Sequence, residues 1–430
     1  MKSFFKKTIV AILTFEAKML LRRTQPTIVA VTGSVGKTSV KDAIYTVLRT
    51  RVHARKSEKS YNSDIGVPLS ILGLQNAWSN PFKWTKNIID GLIVALFPGK
   101  YPKVLVLEMG VDRPGDMERL AEWIKPDVVV LTRLPDVPVH VEYFDSPEAV
   151  TQEKLKLVAA LKTDGVFVFN NDDQKVVEVA EGLLQRSIGY SRYSLSPFTG
   201  SADKIVYQDG KAVGFEFVLT HENETTLMRM QGSLGVQHVY NYAAATAVGS
   251  IFDIGIKEAA EALRDHTPPP GRMRLIDGIK DTLIIDDTYN SSPTACERSL
   301  QTLKELKGVR RRIAVLGDMM ELGQFSIPAH EHVGELVAGS ADILLTVGVR
   351  ARGIAQGALA HGMNETNIFQ YDDVARAGRE LEAMLQPGDV VLVKGSQSIR
   401  GELLVEEIME GSERANELLV RQSPMWKQKS

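Results

Sequence analysis

The stretch IVAVTGSVGKTS, residues 28–39, decides how the chain begins to fold. An apolar, β-branched run breaks at Gly33 and Gly36 into a turn, and the sequence KDAIYTVL then continues with helical character. A strand that passes through a glycine turn into a helix aims backbone N–H groups at a phosphate. Lys37 would add a point charge for the outer phosphates, and the Thr38 hydroxyl suits Mg²⁺. The stretch predicts a nucleoside triphosphate site on an α/β sheet.

The loop departs from the strict phosphate-loop pattern, since Val31 stands where that pattern has its first glycine. The remaining motif, TGxxGK followed by Thr or Ser, also fits a plain glycine turn in an α/β sheet. The strand before the loop and the helix after it favour the nucleotide site.

The composition is that of an ordinary globular protein, with 24% charged and 44% hydrophobic residues. A length of 430 residues predicts two or three domains. The formal net charge of −2 argues against a general nucleic-acid binder, which would carry a basic excess. Cys296 is the single cysteine, so an internal disulfide is excluded and a reducing compartment, the cytoplasm, is expected.

Residues 1–26 precede the first strand as a unit of their own. Lys2, Lys6 and Lys7 lead into the apolar run TIVAILTF, as in a signal peptide, but no small-residue cleavage site follows and the run is too short to span a bilayer. Apolar residues at helical spacing predict an amphipathic helix packed on the body of the protein. A peripheral contact of this helix with the inner membrane surface is the alternative.

Strands and helices alternate along most of the chain, which predicts an α/β fold with a mostly parallel sheet. Residues 27–266 are interpreted as a central domain built on the phosphate loop, with antiparallel strands within 190–235. The other strand candidates of this domain are KVLVLEMG (103–110), DVVVLTRL (127–134) and GVFVFNNDD (165–173).

A stiff linker, DHTPPPGR at 265–272, follows the central domain, because three consecutive prolines cannot continue a helix. Residues 271–430 then hold five strand candidates separated by helical patterns, which predicts a C-terminal Rossmann-like α/β domain. The candidates are TLIIDDTY, RRIAVLGDM, DILLTVG, NIFQY and DVVLVKGS.

Residues 72–102 combine several aromatic residues with the apolar stretch IIDGLIVALF. The stretch is too short to cross a membrane. It is interpreted as a helix buried against the sheet, or alternatively as an exposed hydrophobic patch for a partner or lipid.

Polar side chains follow the strands of the central domain, where an open α/β sheet places its ligands. Glu108 ends an apolar strand beside the loop and is a natural Mg²⁺ ligand. His140 follows the next strand in VPVHVEYF, although a lone histidine is as readily structural. Lys154 lies on the following helix and, by composition alone, is one more exposed lysine.

The second domain offers another set of polar side chains at strand ends. Arg272 follows the linker and could reach back to a phosphate. Asp286 and Asp287 could bind ribose hydroxyls or metal, or cap the next helix. Asp318 ends another strand, and KGSQSIRGE forms a strand-to-helix turn favourable for an anion. The side chains of that turn are Lys394, Ser396 and Arg400.

Eight stretches carry a family resemblance, in order from about residue 28 to 405: VTGSVGKTSVKD, NSDIGVPLSIL, LEMGVDRPGDM, VHVEYFDSPEAVTQEK, PGRMR, IIDDTYNSSP, VLGDMMELG and VLVKGSQSIR. Together they resemble the Mur ligases, ATP-dependent amide-forming enzymes of peptidoglycan synthesis. The resemblance implies that the γ-phosphoryl group of ATP passes to a substrate carboxylate and that an amine then displaces phosphate. Within the family it favours addition of D-alanyl-D-alanine to UDP-N-acetylmuramoyl-tripeptide.

The resemblance also implies roles for individual residues. Lys154 matches the family's carboxylated lysine, whose carbamate would bind a second Mg²⁺. The implied catalytic residues are Lys37, His140, Lys154 and Arg272, and the implied Mg²⁺ ligands are Thr38, Glu108, His140 and Lys154. The implied nucleotide contacts are Gly33, Ser34, Val35, Gly36, Lys37, Thr38, Ser39, Asn241, Arg272, Asp287, Tyr289 and Asn290. The implied substrate contacts are Asp318, Lys394, Ser396 and Arg400.

Three positions depart from the family pattern. His238 stands where the family has an adenine-contacting asparagine, while Asn241 is retained. Ser63 and Ser292 each replace an asparagine of a family motif. The family's N-terminal UDP-sugar domain is also not expected, because the phosphate loop comes too early in the chain. The UDP group would then be held differently or by a partner, or the acid would be another one.

Two enzyme hypotheses and two others follow from these observations. The favoured one is a monomeric ligase that acts on small-molecule substrates in the cytoplasm. The second is a related ligase that acts on a different acid or polymer. A non-catalytic nucleotide-binding scaffold is disfavoured by the presence of Lys37, Glu108, His140 and Lys154. A phosphate-loop kinase or GTPase is disfavoured by the second Rossmann-like unit.

Overall fold

The computed structural model describes residues 2–58, 61–78 and 80–427. Its strands form two sheets, of nine and six strands, which lie one after the other along the chain. The residues of the proline-rich linker between the sheets, 265–272, adopt no helix or strand. The predicted α/β fold is confirmed.

The first sheet has the order β2-β3-β1-β4-β5-β6-β7-β8-β9 and contains the strand that leads into the glycine loop. It is parallel from β2 to β7 and antiparallel from β7 to β9. Its strands are β1 (Thr27–Thr32), β2 (Ala54–Lys56), β3 (Val104–Glu108), β4 (Val128–Leu131), β5 (Val166–Asn170), β6 (Arg186–Ser191), β7 (Phe198–Gln208), β8 (Lys211–His221) and β9 (Glu224–Gln231).

Helices cover both faces of this sheet, so β1 is buried on both sides. Val29 and Val31 face one hydrophobic cluster, and Ile28 and Ala30 face the other. This burial explains why the strand is an unbroken apolar run. The helices are α1 (Lys2–Thr24), α2 (Lys37–Leu48), α3 (Gly66–Leu72), α4 (Pro81–Leu96), α5 (Asp116–Ala121), α6 (Pro147–Ala159), α7 (Gln174–Glu181), α8 (Gln237–Ser250) and α9 (Ile256–Leu263).

The second sheet has the order β10-β11-β15-β12-β13-β14. All its strands are parallel except β10, an edge strand that the sequence patterns did not predict because RLIDG is short and partly exposed. The strands are β10 (Arg274–Gly278), β11 (Thr282–Asp287), β12 (Arg312–Gly317), β13 (Ile343–Val347), β14 (Ile368–Tyr371) and β15 (Val390–Lys394). The helices are α10 (Pro293–Glu305), α11 (Ser326–Ala338), α12 (Arg352–Ala360), α13 (Val374–Met384), α14 (Gly401–Ile408), α15 (Ala415–Leu418) and α16 (Pro424–Lys427).

Helices α1 and α4 pack against each other on one side of the first sheet. The predicted apolar stripe of α1 is buried only in part: Ile9, Leu13 and Leu20 are almost fully covered, whereas Phe5 and Phe15 are exposed. Residues 72–102 were interpreted as a helix buried against the sheet. That interpretation is wrong for one face of α4, because only the opposite face is buried. Among the described residues, no helix is long and apolar enough to cross a membrane.

Candidate active site

The glycine loop between β1 and α2 is fixed by contacts with the neighbouring strand end. Gly33 has a φ of 134°, and a Cβ there would collide with the Thr132 hydroxyl. That hydroxyl donates a hydrogen bond to the Val35 carbonyl over 2.7 Å. Gly36, with a φ of 86°, precedes the first turn of α2 in the left-handed region. The first turn of α2 therefore lines the cleft, and the N–H groups at a helix start suit a phosphate.

A cleft of about 710 Å³ opens in front of the loop, at the carboxyl ends of strands from both sheets. Open α/β sheets bind ligands at this edge. Fifteen of the predicted site residues line the cleft: Ser34, Val35, Gly36, Lys37, Thr38, Ser39, Glu108, His140, Asn241, Arg272, Asp287, Tyr289, Asn290, Lys394 and Ser396.

Lys37 and Lys154 place two ammonium groups close together beside the cleft. Lys154, on α6, is almost fully buried rather than exposed, and burial followed by the charge of Lys37 lowers its pKa to about 7. Burial also lowers the pKa of Lys37, an effect that Glu108 partly opposes. Two neighbouring cations raise the local positive potential, so this part of the site favours a bound anion.

Arg272 carries a third cation from the linker to the phosphate loop. Its Nη2 lies 3.4 Å from the Thr38 hydroxyl, and its guanidinium stacks on the Tyr289 ring at 4.0 Å. The Nε of Arg272 is buried and donates no hydrogen bond to a described residue. An arginine held by stacking, with N–H groups still free, can donate to phosphate oxygens.

The backbone around Arg272 is held by buried polar side chains. The Ser233 hydroxyl lies 2.8 Å from the Met273 carbonyl and 3.2 Å from the Arg272 carbonyl. Asp286 accepts a hydrogen bond from the Gly271 N–H over 3.1 Å. Met273 has a φ of 56°, a strained value for a residue with a side chain. These contacts hold the linker in the turn that presents Arg272.

His238 supports the same turn from α8. It is buried and lies 2.8 Å from the Ser233 hydroxyl. Burial lowers the pKa of His238 to about 3, so the imidazole is neutral. The family has an adenine-contacting asparagine at this position. In this chain the His238 ring lines the cleft and is hydrogen-bonded to Ser233.

Glu108 offers a carboxylate oxygen close to the loop. Its Oε1 accepts a hydrogen bond from Asn62 over 3.2 Å, and the buried Lys41 ammonium lies 3.8 Å from Oε2. Oε2 itself is buried and accepts no hydrogen bond from a described residue. Together with the Thr38 hydroxyl it forms a pair of hard oxygen donors, which fits Mg²⁺.

A metal cage made by the protein alone is not present, since the described residues contain no cluster of three or more His, Cys, Asp or Glu side chains placed to bind one ion. Mg²⁺ is commonly held by one or two protein oxygens together with water and substrate phosphates. The residues therefore fit an ion that binds together with a nucleotide.

His140 connects the two halves of the cleft. Its Nδ1 lies 2.6 Å from a Glu321 carboxylate oxygen, and its Nε2 lies 3.5 Å from Asp112. Glu321 belongs to the second half of the chain, and contact with His140 lowers the pKa of its carboxyl group. A carboxylate at one ring nitrogen orients the other nitrogen, as it does for histidines that bind metals.

Asp287 and Lys394 form a buried ion pair with a distance of 2.6 Å. Ser299 donates a hydrogen bond to the same Asp287 oxygen over 2.8 Å, and Lys394 also donates to the Asn290 carbonyl. The family resemblance implied that Asp287 contacts the nucleotide and that Lys394 contacts the substrate. In the structure the two side chains contact each other directly. Ser292 caps α10 by accepting from the Ala295 N–H.

Four predicted site residues do not line the cleft: Gly33, Lys154, Asp318 and Arg400. Asp318 accepts a hydrogen bond from the Ala351 N–H over 2.7 Å, and Arg400 forms an ion pair with Glu402. Their roles toward a substrate remain predictions. Lys154 lies behind Lys37, close enough for its pKa to respond to that charge.

The sequence reasoning did not single out several residues at the site, among them the cleft residues Asp112, Arg298 and Glu321, and Ser233, which supports the linker. Glu321 lies in VLGDMMELG, a stretch in which only the strand-end acid had been singled out. Arg298 lines the cleft from α10 over the Tyr240 ring, and burial lowers its pKa to about 10. Arg298 was not predicted because it lies within a helix, whereas the candidates were chosen at strand ends and in glycine loops.

The comparison with known families matches this architecture. Residues 31–249 match the Mur ligase middle domain, and residues 271–397 match the Mur ligase glutamate ligase domain. The first match alone covers about half of the chain. The chain belongs to the Mur ligase family. The resemblance drawn from the eight sequence stretches is therefore confirmed.

Curated relatives extend the match over most of the chain. A UDP-N-acetylmuramoyl-tripeptide–D-alanyl-D-alanine ligase from Bacillus subtilis is 28% identical over 397 residues, 92% of this chain and 78% of the relative. The ligase of the same name from Mycobacterium leprae is 30% identical over 395 residues, 87% of this chain and 71% of the relative.

Solved structures of Mur ligases also resemble this chain. The MurF ligase of Thermotoga maritima in complex with ADP aligns with a TM-score of 0.75 and 25% identity, and the alignment covers 95% of this chain and 84% of that one. A MurF structure from Acinetobacter baumannii, at 22% identity and a TM-score of 0.76, shares the fold. Mur ligases use ATP, so this chain is an ATP-dependent, ADP-forming ligase.

Proposed function

We propose that this Mur ligase joins D-alanyl-D-alanine to UDP-N-acetylmuramoyl-tripeptide in peptidoglycan synthesis. The observation that carries the proposal is the approach of Arg272, from the linker, to Thr38 of the phosphate loop at 3.4 Å. Both halves of the chain thereby enclose one cleft. The names of the Bacillus subtilis and Mycobacterium leprae relatives support the choice of acid and amine.

In the proposed reaction a substrate carboxylate oxygen attacks the γ-phosphorus of ATP, and the bond to ADP breaks. The amine then attacks the acyl carbon, loses a proton and expels inorganic phosphate as the amide forms. Lys37 and the loop N–H groups would hold the outer phosphates, and Arg272 would stabilise charge on the transferred group. Gly33, Ser34, Val35, Gly36, Thr38 and Ser39 complete the proposed loop contacts.

The remaining nucleotide contacts are proposed on the other side of the cleft. Asp287, already held by Lys394 and Ser299, would accept from ribose hydroxyls. Asn241, Tyr289 and Asn290 also line the cleft and are proposed as further nucleotide contacts. Ser396 lies at the end where the amine would enter. Asp318 and Arg400 would act on the amine only after a rearrangement of their present partners.

Mg²⁺, held by Thr38, Glu108 and His140, would neutralise phosphate charge when bound. The low pKa of Lys154 supports its proposed carboxylation, because a neutral amine is the form that reacts with carbon dioxide. The resulting carbamate would supply an anion where two cations now lie side by side.

The setting of the enzyme is part of the proposal. Residues 27–266 and 271–430 would be the central and C-terminal domains, preceded by the helix within residues 1–26. The enzyme would act as a monomer on small-molecule substrates in the cytoplasm. A peripheral contact of the N-terminal helix with the inner membrane surface belongs to the same proposal.

A substrate panel tests the proposed reaction. Full-length protein is incubated with ATP, Mg²⁺, UDP-N-acetylmuramoyl-tripeptide and D-alanyl-D-alanine, and the products are identified by mass spectrometry. We expect the amide product together with one phosphate, and no phosphate release when either substrate is omitted. Absence of the product together with turnover of another acid would overturn the named substrate and favour a related ligase.

A further inference from the structure

Helix α4 is apolar on two opposite faces, but only one of them is covered. Trp84, Gly91 and Ala95 are buried against the body of the protein. The polar side chains of α4 lie between these two faces, and a second apolar face of a helix is normally covered by a partner. The second face of α4 therefore lacks the partner that its composition requires.

The uncovered side chains lie along one line of the helix. Phe82, Ile89, Ile93 and Leu96 recur at helical spacing, and Phe97 follows directly after the helix. Phe82 is 85% exposed and Phe97 is 76% exposed. We call this set of five residues the α4 face. A contiguous apolar stripe of this kind marks an interaction surface rather than scattered surface residues.

The charges around the α4 face are almost all positive. Residues 2–24 carry six cations and one acid, and residues 81–103 carry four cations and one acid, in a chain whose net charge is −2. Of the two acids, Glu16 is buried and Asp90 forms an ion pair with Lys86. The surface around the face therefore presents positive charge that no exposed, unpaired acid on these two segments balances.

We propose that the α4 face binds the surface of an anionic lipid bilayer. A single helix lying flat, with its apolar side chains inserted and lysines at the level of the headgroups, is the geometry of interfacial membrane binding. Lys83 on α4, Lys100 after it, and Lys6 and Lys7 on the neighbouring α1 are exposed and would supply those headgroup contacts. A second protein copy would bring the same positive charge to the contact, which disfavours self-association.

Helix α4 supplies the proposed inserting face, because three apolar side chains of α1, Ile9, Leu13 and Leu20, lie inside the protein. Phe5 and Phe15 of α1 are 51% and 65% exposed and are not part of the α4 face. The proposal thus differs from a contact made by the N-terminal helix alone. It is independent of the ligase reaction, because none of the five residues lines the cleft.

Vesicle co-sedimentation of the full chain tests the proposal. We expect the protein to pellet with mixed phosphatidylcholine and phosphatidylglycerol vesicles, to pellet far less with phosphatidylcholine alone, and to lose binding as salt is raised. The double variant Phe82→Ser/Phe97→Ser should weaken the partition coefficient by about tenfold or more. Lys83→Gln/Lys100→Gln should weaken it by roughly fivefold per lysine.

Matched controls use equally exposed residues elsewhere. Leu195→Ser/Ile327→Ser alters side chains that are 97% and 71% exposed, and Lys204→Gln/Lys257→Gln removes two lysines that are also paired with acids. Both control variants should pellet like the parent protein. All variants should retain ATP-dependent turnover in solution, which separates this test from that of the proposed reaction.

Two results would overturn the proposal. One is absence of pelleting with anionic vesicles, or pelleting that Phe82→Ser/Phe97→Ser leaves unchanged. The other is a concentration-dependent dimer in light scattering that the same variant abolishes, which would assign the α4 face to a second copy of the chain.

Discussion

The cleft and the contact between α1 and α4 each bury an ionisable side chain, but in opposite surroundings. Lys154 lies behind the cleft beside another cation, and its pKa is lowered to about 7. Glu16 lies between α1 and α4 against Gly91, and burial raises its pKa to about 7. In the cleft, buried polar atoms of Arg272 and Glu108 lie beside an open cavity, whereas the Glu16 carboxyl group is enclosed by the packing of the two helices.

This difference teaches what each region tolerates. In the cleft, each charge has a defined position relative to a phosphate or carboxylate, so a substitution should affect catalysis strongly and specifically. At the contact between α1 and α4, burial alone sets the energetics, so a substitution should change stability and leave catalysis intact. The predictions below test this contrast in order of decreasing effect.

The largest effect is expected for Lys37→Met. Removing the ammonium proposed to face the outer phosphates should reduce kcat/KM for ATP by about a thousandfold or more. The rate of phosphate release in the complete reaction, measured at several ATP concentrations, gives this kcat/KM. Lys162→Met is the control, because this exposed lysine pairs with Asp127 away from the cleft and should leave turnover unchanged. Comparable losses of turnover in both variants would contradict a specific role of Lys37 in the cleft.

Lys154→Ala should reduce turnover by about a hundredfold, and short carboxylates such as formate or acetate should restore part of it. The added anion would occupy the place of the proposed carbamate. Lys156→Ala, on the same helix but exposed, should keep near-normal turnover and show no response to carboxylates. Full activity of Lys154→Ala would rule out the carbamate.

Ser233→Ala should lower kcat by about tenfold while the affinity for ADP changes little. The hydroxyl holds the carbonyls of Arg272 and Met273, so its loss should loosen the arginine that would contact the transferred group but not the glycine loop. Single-turnover kinetics and calorimetric ADP binding separate the two quantities. Equal losses in both would point to a general folding defect, against which exposed Ser201→Ala is the control.

Glu16→Gln should change stability only. The pKa of Glu16 is raised from 4.5 to about 7, so the folded state keeps a proton that the unfolded chain loses between these values. The free energy of unfolding should therefore fall as pH rises through this window, and the variant should remove that fall. We expect the variant to be more stable than the parent by about 1–3 kcal/mol at pH 8, with little difference near pH 4.

Urea unfolding across pH measures this prediction, and ligase turnover should be the same for both proteins. Glu122→Gln, at an exposed position, should leave the pH profile unchanged. A parent protein whose stability does not depend on pH between these limits would contradict the assignment to Glu16.

The sequence predicted the parts of the molecule that depend on local pattern. The apolar run before Gly33 had to be a buried strand, and Glu108 had to lie where a neighbouring parallel strand ends. The sequence could not reveal Ser233 or Glu321, because their partners lie far away in the chain and the pairing depends on how the two halves meet. It also could not settle which face of α4 is covered, since both faces are apolar.

The central claim is that the cleft activates a carboxylate by phosphoryl transfer from ATP. The most direct test supplies the acid substrate with oxygen-18 in its carboxylate and analyses the released phosphate by mass spectrometry. Attack of the carboxylate on the γ-phosphorus, followed by amide formation, should leave one labelled oxygen in the phosphate for each amide formed. Unlabelled phosphate, or label found in the nucleotide, would contradict the account.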